Sequence, residues 1–131
     1  MRTRVGLLAL IAALLPQLAA AALPWASPAY ERTTVPEEYS RSTAKRMQLS
    51  SEYPREGMPH SINVADLISV YGAPTAAYRP TQQGQNNRSY LVYELGDGYS
   101  FAVQLSRLED SRFYAAMLFD PTGKRVGAII K

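Results

Sequence analysis

The side chains that could carry chemistry are few and far apart. His60 is the only histidine, and it follows Pro59 at the edge of a proline-punctuated stretch. Imidazole is the one side chain whose ordinary pKa lies near neutral pH, but a Ser-His-Asp arrangement would have to recruit it from that edge. No Gly-x-Ser-x-Gly elbow is present to present a serine. The carboxylates Glu109 and Asp110 stand together, with Asp97 and Asp120 in other turn-like segments. Glycoside hydrolysis needs two carboxylates at a fixed separation, and calcium needs a loop dense in oxygen ligands. None of these segments has the Asp-x-Asp-x-Asp-Gly spacing, so they read as solvated turn residues. Cysteine is absent, which removes thiolate metal sites, thiol nucleophiles and disulfides. The expectation is a chain that is not an enzyme, with no catalytic residue, metal or cofactor.

Recognition chemistry is better represented. The polar loop 79–88 is rich in amides and bounded by Arg79 and Arg88, which makes adaptable contacts to protein or glycan conceivable beside the plainer reading of a connector. If the strands that follow alternate inward and outward, Tyr90, Val92, Tyr114, Leu118 and Ile129 fall on the outward face of one sheet. That face is more apolar than a solvated surface requires, and exposed patches of this kind mark contact surfaces. Tyrosine is a good anchor there because it buries much area at low entropic cost. Tyr90, Val92, Tyr114, Leu118 and Ile129, with Arg79 and Arg88, are therefore the candidate partner-binding residues.

The elements that must position them can be read from periodicity. Val64, Leu67, Ile68 and Tyr71 fall at i, i+3, i+4 and i+7, one apolar helical face. Asn63 is placed as N-cap, Asp66 sits in the first turn, Gly72 is placed for the C-cap, and Pro74 forbids continuation. After the loop the period becomes 2. Leu91, Tyr93 and Leu95 share one face, and beyond Gly96-Asp97-Gly98 so do Tyr99, Phe101, Val103 and Leu105, a β-hairpin. A third strand over 112–119 is expected to turn Phe113, Ala115, Met117 and Phe119 inward. Asp120-Pro121-Thr122-Gly123 suits a type I turn into a last strand over 124–131. The fold class expected is α+β: one amphipathic helix packed on a four-stranded antiparallel β-meander, with 37–49 either disordered or a second, loosely docked helix.

Upstream, 1–22 has the order of a cleavable signal peptide: Arg2 and Arg4, an uncharged run over 5–15, then Ala19 to Ala22. The apolar run is about half the ~20 residues a permanent span needs, so no stable membrane span is expected after cleavage. Residues 23–60 read as a flexible tether with prolines at 24, 28, 36, 54 and 59, and 61–131 as the folded α+β domain. The whole chain has a formal charge of +3; of its 14 Lys and Arg, two lie in the signal, and the remaining 12 against 11 Asp and Glu leave about +1. Those bases are scattered, whereas a nucleic-acid binder concentrates them on one face, so no nucleic-acid partner is expected.

The helix ending in Tyr71-Gly72-Ala73-Pro74, preceded by Val64-Ala65-Asp66-Leu67 and followed by the Tyr90 to Tyr93 strand, resembles the SmpA/OmlA (BamE-like) family of outer-membrane assembly proteins and the related β-lactamase-inhibitor-protein-like fold. The resemblance covers about 63–131. Assembly-type members are lipoproteins, and this chain has no cysteine to acylate. What the resemblance implies is a non-enzymatic adaptor or inhibitor in the periplasm or outside the cell, contacting an envelope protein partner through its outer sheet face or by edge-strand addition. A glycan or small-ligand binder using loop 75–88 is the alternative. The sequence leaves the oligomeric state open.

Overall fold

The computed structural model describes residues 23–41, 61–82 and 88–130. The expected export signal, His60 and the 42–49 part of the expected second helix lie outside the described residues, as do 83–87 of the polar loop.

The apolar stripe of the sequence becomes helix α2, Val64–Tyr71 (α1 is described below), with Val64, Leu67, Ile68 and Tyr71 all buried. Asn63 occupies the N-cap position, but its side chain makes no capping bond. The helix start is held from outside instead: the Val64 amide donates to the Ser111 carbonyl at 2.8 Å, and Phe113 donates to Ile62 at 3.0 Å. At the other end Gly72 takes a φ of 81°, which suits a residue without Cβ, and its amide donates to Ile68 at 2.8 Å. The buried Tyr93 hydroxyl donates to the Gly72 carbonyl at 2.6 Å, pinning the helix end to the sheet.

That sheet has six strands in the order β1-β2-β3-β4-β5-β6, each antiparallel to the next. They are β1 Tyr30–Thr33, β2 Ala76–Pro80, β3 Ser89–Glu94, β4 Ser100–Leu105, β5 Ala115–Phe119 and β6 Arg125–Ile130. The class is α+β as expected, and the meander is two strands larger. β2 comes from the stretch read as a polar loop and β1 from the stretch read as a tether. Between β1 and α2 a single helical turn, α1 Glu37–Ser40, buries Tyr39, whose hydroxyl reaches the Asp110 carbonyl at 3.4 Å.

One face of the sheet carries the helix. There Leu91, Tyr93, Phe101, Val103, Leu105, Ala116 and Leu118 pack with Val64, Leu67, Ile68, Tyr71 and Tyr39. At its centre the rings of Tyr71, Tyr93 and Phe101 lie 5.4 to 6.0 Å apart, centroid to centroid. The opposite face is covered by a strap, 23–33, that runs into edge strand β1. Trp25, in the 3-10 turn Pro24–Ala26, packs with Ala76, Tyr90, Val92, Ala102, Met117 and Phe119, while Leu23, Tyr30 and Tyr78 close the margin.

The third expected strand reverses its faces. Phe113 lies on the helix side as expected, but from Ala115 onward Ala116 and Leu118 point to the helix and Met117 and Phe119 to the strap. The shift occurs at Tyr114: its amide donates to the Gln104 carbonyl at 2.8 Å, while Ala115 is the register partner of Gln104. Two residues thus face one, as in a β-bulge, and the side chains of β5 change side.

Candidate interaction surface

The candidate residues do not form one patch. Tyr90 and Val92 do lie on the face away from the helix, but they are 5% and 1% exposed because Trp25 covers them. Leu118 is on the helix face, moved there by the shift at Tyr114, and is 4% exposed. Arg79 sits in β2 opposite Glu31 of β1 and is ion-paired to it at 2.8 Å. Ile129 stands opposite Ala116 in the β5–β6 register. Only Tyr114 remains both aromatic and exposed, at 47%, and the Arg88 guanidinium lies 4.0 Å from its ring centroid. That stack brings together two of the candidates and fixes a Tyr and an Arg in one orientation at the end of the sheet where β2 and β3 are joined.

Residues that were not singled out do the covering. Trp25 stands 5.3 Å from Phe119, edge on, and 5.4 and 5.9 Å from Tyr90 and Tyr78. Tyr30 packs against Tyr90 at 5.7 Å, and burial, followed by the neighbouring Tyr90, raises its phenol pKa. Gln104 donates from Nε2 to the Tyr90 hydroxyl at 3.2 Å, which satisfies the polar end of a buried ring. The signal for this cover was present: a lone tryptophan among prolines is a large apolar surface that needs a partner.

Asp120, Asp110 and Asp97 are occupied in shaping turns. One Asp120 carboxylate oxygen accepts from the Thr122 hydroxyl at 2.6 Å and from the Thr122 and Lys124 amides at 2.9 and 3.0 Å. These bonds, the hydroxyl first, hold its pKa below the ordinary value. Asp110 accepts from the Arg107 amide at 3.0 Å and Asp97 from the Tyr99 amide at 3.3 Å. Among the described residues no three His, Cys, Asp or Glu side chains come together as a metal site, and no helix is long and apolar enough to cross a membrane.

With both faces covered, β1 and β6 are the strands that have a neighbour on one side only among the described residues, and these two edges differ. At β1, Glu31 is paired with Arg79, and Arg32 with Glu94 at 3.6 Å; Arg32 also lies over the Tyr78 ring at 5.9 Å. The strand has four residues and the chain leaves it toward Pro36. At β6 the strand has six residues without proline. Leu118 pairs with Gly127 and Phe119 with Arg125, so Val126 is the extra residue of a bulge, 40% exposed. Lys124 and Arg125 beside it are exposed, and no ion pair of Arg125 occurs among the described residues.

No protein-family model, curated protein or solved structure matches this chain.

Proposed function

We propose that this chain is an exported, non-enzymatic protein-interaction module of the bacterial cell envelope, and that it receives an extended segment of a partner along β6. One observation carries the reading: helix and strap occupy the two faces, β1 is a four-residue strand that leads toward Pro36, and the six-residue β6 has, among the described residues, a strand on one side only. The outer row of N–H and C=O groups on an edge strand is a ready template for a further strand. The resemblance to the SmpA/OmlA family and the signal-like 1–22 favour an adaptor in the periplasm or outside the cell. Docking on the outer sheet face is not retained, since Tyr90 and Val92 lie under Trp25. Glycan stacking on Tyr114 is disfavoured as well, because Arg88 occupies one face of that ring.

The test is site-specific photocrosslinking in the producing cell. A photoreactive residue in place of Val126 should give one discrete protein adduct on protein whose N-terminus has been processed to Leu23 or a neighbour. The same residue in place of Ser69, exposed on the helix, should give none. Adducts from Ser69 alone would move the docking surface to the helix face.

A further inference from the structure

We propose that Tyr30 and Tyr90 form an oxidative coupling site, at which a carbon-carbon bond between the two rings fastens the strap to the sheet. Tyr30 opens β1 at the end of the strap, and Tyr90 lies in β3 on the face that the strap covers. Strand β2 stands between β1 and β3, so the pair reaches across the ladder. The ring centroids are 5.7 Å apart at 57°. Their hydroxyl ends converge: after burial, the charge and hydroxyl of Tyr90 raise the Tyr30 phenol pKa. Gln104 donates from Nε2 to the Tyr90 hydroxyl at 3.2 Å and holds that end in place.

The reaction is one-electron oxidation of each phenol. Loss of one electron and one proton gives a phenoxyl radical, whose unpaired spin is shared with the ring carbons flanking the hydroxyl-bearing one. One such carbon from each ring joins the other, and their hydrogens then move as protons to the two oxygens while the rings regain aromaticity. The chain loses two hydrogen atoms in all: two equivalents of a one-electron oxidant take the electrons, and solvent takes the protons. Neighbouring rings bring oxidation to the covered partner. Tyr30 and Tyr78 are half-buried at the margin, and Trp25 lies 5.9 Å from Tyr78 and 5.4 Å from Tyr90. An electron lost at the margin is replaced from the ring behind it, so Tyr90 is reached although it is 5% exposed.

The helix face supplies the contrast. Tyr71 and Tyr93 are 6.0 Å apart, but each is 1% exposed, and the Tyr93 hydroxyl is turned to the Gly72 carbonyl at 2.6 Å. That side is already fixed, whereas the strap has one buried indole and a four-residue ladder. The chain has no cysteine, so no disulfide can fasten it. A bond between residues 30 and 90 restricts the detached strap as a disulfide would, by closing a loop in the unfolded chain.

The experiment irradiates the purified chain with a ruthenium tris-bipyridyl complex, persulfate accepting the electrons. A one-electron reagent is used because two-electron oxidants take methionine to the sulfoxide, and Met117 packs in the same cluster. Monomers are separated from dimers joined through the exposed Tyr114. The monomer should be lighter by two hydrogen atoms, show dityrosine emission and yield a joined peptide containing Tyr30 and Tyr90. Tyr30→Phe and Tyr90→Phe, each with unchanged circular dichroism, should lose this product, and Tyr114→Phe should keep it. In the joined monomer the Trp25 fluorescence transition should move to higher denaturant. Monomers that stay unjoined, or that are joined through other tyrosines, overturn the pairing. A Tyr30–Tyr90 bond that leaves the Trp25 transition where it was overturns the fastening of the strap.

Discussion

The two faces of this sheet are closed by unequal devices. On the helix side α2 is fixed at both ends, by backbone bonds to 111–113 and by the Tyr93 to Gly72 bond, around a closed group of three rings. On the other side an eleven-residue strap depends on one buried indole and a four-residue ladder to β2. Burying an indole of ~200 Å² contributes about 5 kcal/mol before costs. Ordering each strap residue costs about 1 to 2 kcal/mol. Trp25 alone therefore cannot hold the strap, and the β1–β2 ladder and the Tyr30 and Leu23 contacts must contribute. The difference teaches that the helix face is the stable half and the strap its cover, which directs recognition to the remaining edge.

The comparison breaks most visibly at Phe101. Removing that ring from between Tyr71 and Tyr93 leaves a cavity that a fixed helix cannot fill, so Phe101→Ala should cost about 3 to 5 kcal/mol in denaturant unfolding. For a domain this small without disulfides, that is enough to unfold most of the population. Trp25→Ala should cost less, about 2 kcal/mol, because a strap can detach where a core side chain leaves a void. Trp25 is the only tryptophan, so wild-type fluorescence should report strap release at lower denaturant than the circular dichroism of the helix. Coincident transitions would make strap and helix face one cooperative unit.

Smaller effects test the turns that join the halves. Gly98 has a φ of 84°, and an added Cβ would lie 3.3 Å from the Pro121 ring. Gly98→Ala should therefore destabilise by about 1 to 2 kcal/mol through backbone strain and crowding of the neighbouring turn. The smallest effect is at Asp120. Its folded-state pKa is depressed below 3.8, so its contribution is present above that value and is lost as pH falls through the lower folded value. The stability difference between wild type and Asp120→Ala should be constant near neutral pH and narrow as pH drops below about 4.

Much of the stable half was legible in the sequence and little of the cover. Helix α2 was readable because all four stripe residues face inward, and the hairpin of β3 and β4 because Leu91, Tyr93, Phe101 and Val103 alternate with the helix in view. β1 was not readable: in Tyr-Glu-Arg-Thr the charges pair across the edge, and no apolar alternation remains. β2 was hidden because Ala76 and Ala77 face opposite sides and are both buried, a pattern that period 2 does not reveal. The five buried positions of β3 likewise conceal that Tyr90 and Val92 are covered. For the candidate site, the single shift at Tyr114 was decisive. It exchanged the faces of β5, sending Leu118 to the helix core while leaving Tyr114 exposed under Arg88.

The most direct test of the edge claim is amide hydrogen exchange over the whole sheet, with and without the partner segment identified through the Val126 adduct. The account predicts added protection confined to β6, Arg125–Ile130, with no change at β1 or α2. Protection gained along β1 or β2 instead, with β6 unchanged, would contradict it and make the strap, not the open edge, the place where partners are received.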